Sequence, residues 1–228
     1  NIRFVYNSRN IKSILGNEFN YIYLAAPSSK KFLANKRNEK DLKNIENLIL
    51  ILKSVKCNKI ICISSIDVYN NRNSYENTKI ITKKLSHYGF NRLKLIRFIK
   101  KNFKKFLIIK LPSLFGLNEK KGFFYDLIYQ KEIKFYNIKS KLQWYYTPLL
   151  SKDIKKLDKL NIKEINLLSE PISCEYLNKA LNFKKNFSNS ARVVSYNIKS
   201  IHNFRNKKYS YAKNEIITYM KKSIKVKR

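Results

Sequence analysis

"KIICISSIDVYN" (residues 59–70) follows Lys59 with four apolar side chains in unbroken succession, Ile60 to Ile63, and then places two serines, Ser64 and Ser65, side by side. An apolar run of this length without polar alternation reads as a strand covered on both faces, the habit of a parallel sheet. Its end presents two hydroxyls where the chain must turn away.

Runs of similar character flank it: "RFVYN" (3–7) and "YIYLAAP" (21–27) before, "KFLIIKLPSLFG" (105–116) after. In "EKDLKNIENLILILKSV" (39–55), Leu42, Ile45, Leu48, Ile49 and Leu52 recur at three- and four-residue intervals, as one helix face requires. Asp41 falls near the start of that helix, where acidic groups suit the dipole. Helix-length crossovers between apolar strands imply parallel pairing, so residues 1–116 predict an α/β fold built on a doubly wound parallel sheet. After Gly116 the rhythm weakens. Residues 117–228 read as a smaller α+β lobe with helices over 123–130, 151–160 and 214–222 and brief strands in "IKFYN" (133–137), "EINLLS" (164–169) and "ARVVSYN" (191–197). Such a lobe is where a second ligand is held.

The 228 residues carry a formal charge of +34, from 49 Lys and Arg against 15 Asp and Glu. Lysine is spread along the whole chain and not gathered into one face, so nucleic acid is disfavoured as the partner. No uncharged run approaches a membrane span. Cys57, Cys62 and Cys174 form no paired framework, and His87 and His202 have no cluster around them. The expectation is a soluble cytoplasmic protein with reduced thiols and no metal site.

The four glycines, Gly16, Gly89, Gly116 and Gly122, do not supply the Gly-rich turn with which such sheets usually hold a dinucleotide. Two explanations stay open: no dinucleotide is bound, or the first strand and its turn lie upstream of Asn1. If the chain began at Asn1, the neighbours of that strand would expose an apolar edge and favour a homodimer.

Four stretches in order, "YIYLAAPSS", "ICISSIDVYN", "YGFNR" and "IIKLPSLFG", resemble the extended short-chain dehydrogenase/reductase family, the nucleotide-sugar epimerases and dehydratases. The resemblance covers about residues 5–160 and implies a Rossmann-like sheet and NAD or NADP as cofactor. It implies Ser65 and Tyr88 as the catalytic serine and tyrosine, with Arg92 where the family's lysine stands. It places Ala25, Ala26, Pro27, Ser64 and Pro112, together with Tyr88 and Arg92, on the cofactor, and Asp67 and Ser113 on the substrate. "YENTK" (75–79) matches Tyr-x-x-x-Lys literally, but Tyr75 follows Ser65 by only ten residues in a turn-rich stretch, so Tyr88 is preferred. Arg92 for lysine and Asp41 for a structural asparagine are departures from the pattern.

A phenol needs a neighbouring positive charge to act as a base near neutrality. Tyr88 and Arg92, four apart on a helix, share a face, so the guanidinium is expected to lower the phenol's pKa. Arginine keeps the charge but cannot relay a proton. Trp144, Tyr145 and Tyr146 read as packing of the lobe more than as a stacking platform, Asp153 as a helix N-terminal residue, and His87 as lying outside the site. The expected function is NAD(P)-dependent epimerisation, dehydration or reduction of a nucleotide sugar. The alternatives are a non-catalytic binding protein of the same fold and a basic nucleic-acid-binding protein.

Overall fold

The computed structural model describes residues 3–117, 122–129, 133–183 and 186–227. The chain forms two compact units: residues 3–70 with Lys79–Lys110, and Asn71–Thr78 with residues 111–227.

In the first unit, β1 (Glu18–Leu24), β2 (Lys56–Ser65) and β3 (Phe106–Leu111) pair in the order β1-β2-β3. The β1–β2 pairing is parallel, with Leu24 opposite Cys62, so the carboxyl ends of both strands emerge together. Ile60, Ile61 and Cys62 of β2 and Leu107, Ile108 and Ile109 of β3 are buried, as their unbroken apolar runs require. Short helix α1 (Lys31–Lys36) and α2 (Asn38–Lys53) connect β1 to β2, and α3 (His87–Asn102) precedes β3. Ile45, Leu48 and Leu52 form the buried stripe of α2, matched on α3 by Leu93, Leu95, Ile96 and Ile99. The expected strand at 3–7 does not form. Phe4 and Val5 are exposed there, and residues 3–7 pair with no strand among the described residues.

One contact fixes α3 against the end of β2. A Cβ on Gly89 would stand 2.2 Å from the Asp67 carbonyl oxygen, so only glycine permits that approach. The Ser86 side chain caps the helix by accepting from the Gly89 N–H at 3.2 Å. Gly89→Ala is expected to cost about 1–3 kcal/mol in chemical denaturation, because backbone must move to admit one methyl group.

In the second unit, β4 (Ser113–Phe115) pairs parallel with β6 (Trp144–Tyr146), and β5 (Lys141–Leu142) antiparallel with β8 (Ile172–Ser173). Helices α4 (Phe123–Tyr129), α5 (Leu150–Lys159), α6 (Cys174–Ala180) and α7 (Lys213–Lys227) and the strand β7 (Glu164–Asn166) complete it. Residue 130, expected in α4, lies outside the described residues. Expected strands at 133–137 and 191–197 are instead a 3-10 turn over Ile133–Phe135 and an irregular stretch making a single bridge, Lys141 to Ser195.

No single cut after Gly116 divides the two units. Asn71–Thr78 belongs to the second because Arg72 and Ser74 accept backbone hydrogen bonds from Asn197 and Lys199, at 2.7 and 2.9 Å. The Glu76 carboxylate adds bonds from the Asn166 N–H, the Ser200 hydroxyl and the Ile201 N–H. Trp144 and Tyr145 are fully buried, which makes them core and not a platform. Asp153 is likewise buried and accepts from the hydroxyls of Tyr145, at 2.8 Å, and Tyr211.

Candidate functional site

The carboxyl ends of β1 and β2 and the first turns of α3 bring one group of polar side chains together in the first unit. Ser65 ends β2 and caps the short turn Ile66–Val68, its Oγ accepting from the Asp67 N–H at 3.1 Å. The Ser65 hydroxyl donates to Asp67 Oδ2 at 3.3 Å. Lys31, reaching over from α1, donates to Asp67 Oδ1 at 2.6 Å. Tyr88 on α3 is buried, and Ser65 is one of the groups that bear on the ionisation of its hydroxyl. Its backbone N–H donates to Asn35 Oδ1 at 2.9 Å, which ties α3 to α1.

Arg92 is one helical turn further on, and its guanidinium carbon lies 4.3 Å from the centroid of the Tyr88 ring. The guanidinium is itself fully buried. Nη1 donates to Asp41 Oδ2 at 2.8 Å; Nη2 donates to Asp41 Oδ1 at 3.1 Å and to the carbonyl oxygen of Ser28. Asn91 adds a bond to Asp41 Oδ2 at 2.8 Å. The two departures noted in the sequence, Arg92 and Asp41, are thus the two halves of one ion pair joining α3 to α2.

These surroundings reverse the expected direction of the Tyr88 pKa. Burial pushes the phenol above its ordinary value, the Asp67 charge adds to the rise, and the Arg92 guanidinium and the hydrogen bonds to Arg92 and Ser65 offset only part of it. The correction is physical: a cation lowers a phenol's pKa, but this one is already shared with a carboxylate, and the ring is out of water. Cys62 nearby is held as a neutral thiol, pushed by burial up to about 12.

For Asp41 the balance falls the other way. Burial works to raise it, but hydrogen bonds from Arg92 and Asn91 and the guanidinium charge outweigh that and leave it below the ordinary carboxylate value. A depressed folded pKa gives stability that is fully present above the unfolded value, 3.8, and is lost as pH falls through the folded value. An acid titration of unfolding free energy should therefore show a loss below about pH 4 that is missing in Asp41→Asn.

Ala25 and Ala26 are exposed at the end of β1, Pro27 is half-buried beside them, and Ser64 is half-buried at the end of β2. Pro112 and Ser113 belong to the second unit, where the Ser113 N–H donates to the Gln143 carbonyl at 3.2 Å. There Gly116 packs so closely that a Cβ would lie 2.3 Å from Thr147 Oγ1. Tyr75 sits in a turn closed by Thr78 N–H to its carbonyl oxygen at 3.1 Å, so Tyr75 and Lys79 do not share a helix face as Tyr88 and Arg92 do. Lys31 and Asn35 were not apparent in the sequence. The one available signal was the spacing of small and polar residues after Ala25-Ala26.

No family model matches the sequence, and none of the curated proteins does. Solved structures do match in fold. MoeE5, in a complex with UDP-glucose and NAD, superposes with a TM-score of 0.73 at 12% identity over 97% of this chain and 83% of its own. The fold is that of the extended short-chain dehydrogenases/reductases. L-Threonine dehydrogenase from Phytophthora infestans gives a TM-score of 0.68 at 14% identity, covering 97% of this chain and 82% of its own. UDP-glucuronic acid 4-epimerase from Bacillus cereus, a Tyr-to-Phe mutant bound to a fluorinated UDP-sugar and NAD, gives 0.67 at 18%, covering 96% and 78%. Among the described residues no helix is long and apolar enough to cross a membrane.

Proposed function

We propose that this chain is a nicotinamide-dependent enzyme of the epimerase, dehydratase or reductase kind, acting on a nucleotide sugar, with Tyr88 as acid–base and Ser65 beside it. What supports the reading is that Ser65 ends β2 beside the carboxyl end of its parallel neighbour β1, where open α/β sheets bind ligands, and bears on the ionisation of Tyr88 in the first turn of α3. Solved neighbours of the same fold hold NAD or NADP, and several hold UDP-sugars.

The residues present suit the nicotinamide end of such a cofactor. Small exposed side chains, Ala25 and Ala26, leave a flat ring room beside Ser64 and Ser65. Bound there, the nicotinamide supplies a hydride acceptor or donor. The chain's part is to move the proton. Tyr88 takes it from, or returns it to, the sugar hydroxyl, and Ser65 hydrogen-bonds the same oxygen and holds it against the phenol. Arg92 keeps its charge across the ring face but has no proton to give. Ala25–Pro27 would line the cofactor, and Asp67 the sugar.

One observation favours a second reading, a non-catalytic nucleotide-binding protein. Arg92 is committed to Asp41 and Ser28, and the Tyr88 phenol is harder to ionise than an exposed tyrosine. Calorimetric titration of the full reading frame with NAD, NADP and UDP-sugars, followed by the absorbance of reduced nicotinamide, separates the two. The enzyme reading expects binding and nicotinamide reduction. Binding without reduction would favour the second, and no binding of any of them would remove both.

A further inference from the structure

The contacts that the two Asp67 oxygens make with Ser65 and Lys31 do opposite things to the site. Through Oδ2 it receives the Ser65 hydroxyl proton at 3.3 Å; through Oδ1 it holds the Lys31 ammonium at 2.6 Å. While the Ser65 proton points to Asp67 it is withheld from Tyr88, whose ionisation a hydrogen bond from Ser65 eases. The negative charge of Asp67 opposes ionisation of Tyr88 as well.

We infer that Lys31 and Asp67 are positioning residues that set the ionisation of Tyr88: Asp67 orients the Ser65 hydroxyl away from the phenol, and Lys31, by holding the carboxylate, relieves that opposition. Lys31 is half-exposed and Asp67 partly so, which leaves the pair open to change by a bound anion or by salt. A diphosphate drawn to Lys31 would loosen it from Asp67 and raise the phenol's pKa. The inference deepens the acid–base reading of Tyr88 and rests on it for its biological sense.

Other charged or titratable groups face Tyr88 from each element around it. Arg92 lies over its ring and His87 adjoins it on α3; Asp41 of α2 reaches it through Arg92; Cys62 of β2 stays neutral. None of these changes in Lys31 or Asp67 variants, so the variants isolate the pair.

The test uses protein labelled with 3-fluorotyrosine, without cofactor or substrate, followed by fluorine NMR, with the Tyr88 resonance assigned by its loss in Tyr88→Phe. Fluorine brings the phenol's titration into a range where the fold survives. Lys31→Met is expected to raise the Tyr88 pKa by about half a unit, Lys31→Glu to raise it further, and Asp67→Asn to lower it by about one unit. The Lys31→Met/Asp67→Asn double variant should fall between the singles. Added pyrophosphate should raise the wild-type value and leave Lys31→Met unmoved. A Tyr88 pKa unchanged in all three single variants overturns the inference even if the enzyme turns over. If the pKa moves as stated while no nicotinamide is ever reduced, the inference stands and the enzymatic reading falls.

Discussion

Asp41→Ala is expected to cost about 3–5 kcal/mol of unfolding free energy. Arg92 is 3% exposed and Asp41 9%, so removing the carboxylate leaves a guanidinium out of water with only the Ser28 carbonyl and the Tyr88 ring for company. Arginine cannot escape by shedding its proton. The reciprocal change, Arg92→Leu, should cost less at low pH than at neutral pH, because a stranded carboxyl can take up a proton. The double variant Asp41→Leu/Arg92→Met should recover most of the loss, since well-packed apolar side chains replace buried ion pairs at little net cost. Urea denaturation gives the values, with the slope checked for each variant because a chain of two units need not unfold in one step. If Asp41→Ala unfolds within about half a kcal/mol of wild type, the pair does not hold α2 to α3.

Tyr88→Phe is expected to lower turnover by about 100- to 10,000-fold while the affinity for NAD and for the sugar nucleotide stays within a few-fold. The phenyl ring keeps the stacking under Arg92 and loses only the proton-carrying oxygen. Ser65→Ala should cost less, because the phenol persists and Asp67 loses only an orienting partner. A loss of affinity equal to the loss of rate would instead assign Tyr88 to binding. The elevated phenol pKa also implies that the rate climbs with pH over the neutral range, since more of the base form becomes available as pH rises towards it.

Much of the first unit was legible because its signals are local. Ile60 to Ile63 and Leu107 to Ile109 are runs that only a doubly covered strand explains, and the three- and four-residue spacing in α2 marks its buried stripe. The placement of Tyr88 and Arg92 on one helix was legible for the same reason. The pKa direction was not, because burial and the partner of Arg92 are tertiary facts. Asp41 is 51 residues away from Arg92, and nothing in either segment announces the other. Each looked like a separate departure from a family pattern; together they form one buried ion pair.

The strand expected at 3–7 shows a different limit: apolar and aromatic composition suits a pleated surface, but strands exist only in pairs. In the second unit short segments such as "IKFYN" have too few residues for a period to be read, and the chain settled them by packing Phe123 against Tyr136 and Trp144. The Asp153 junction with Tyr145 and Tyr211 was missed because an acidic residue early in a helix has an ordinary explanation in the helix dipole.

Two hydroxyls, from Tyr88 and Ser65, are proposed to act on one oxygen of a sugar. A crystal structure of the full reading frame with NAD and a UDP-hexose addresses this without intermediaries. Both hydroxyl oxygens are expected at about 2.6–3.2 Å from the same sugar hydroxyl. A sugar bound elsewhere, or one that meets Ser65 while the Tyr88 oxygen stays turned away from it, would contradict it.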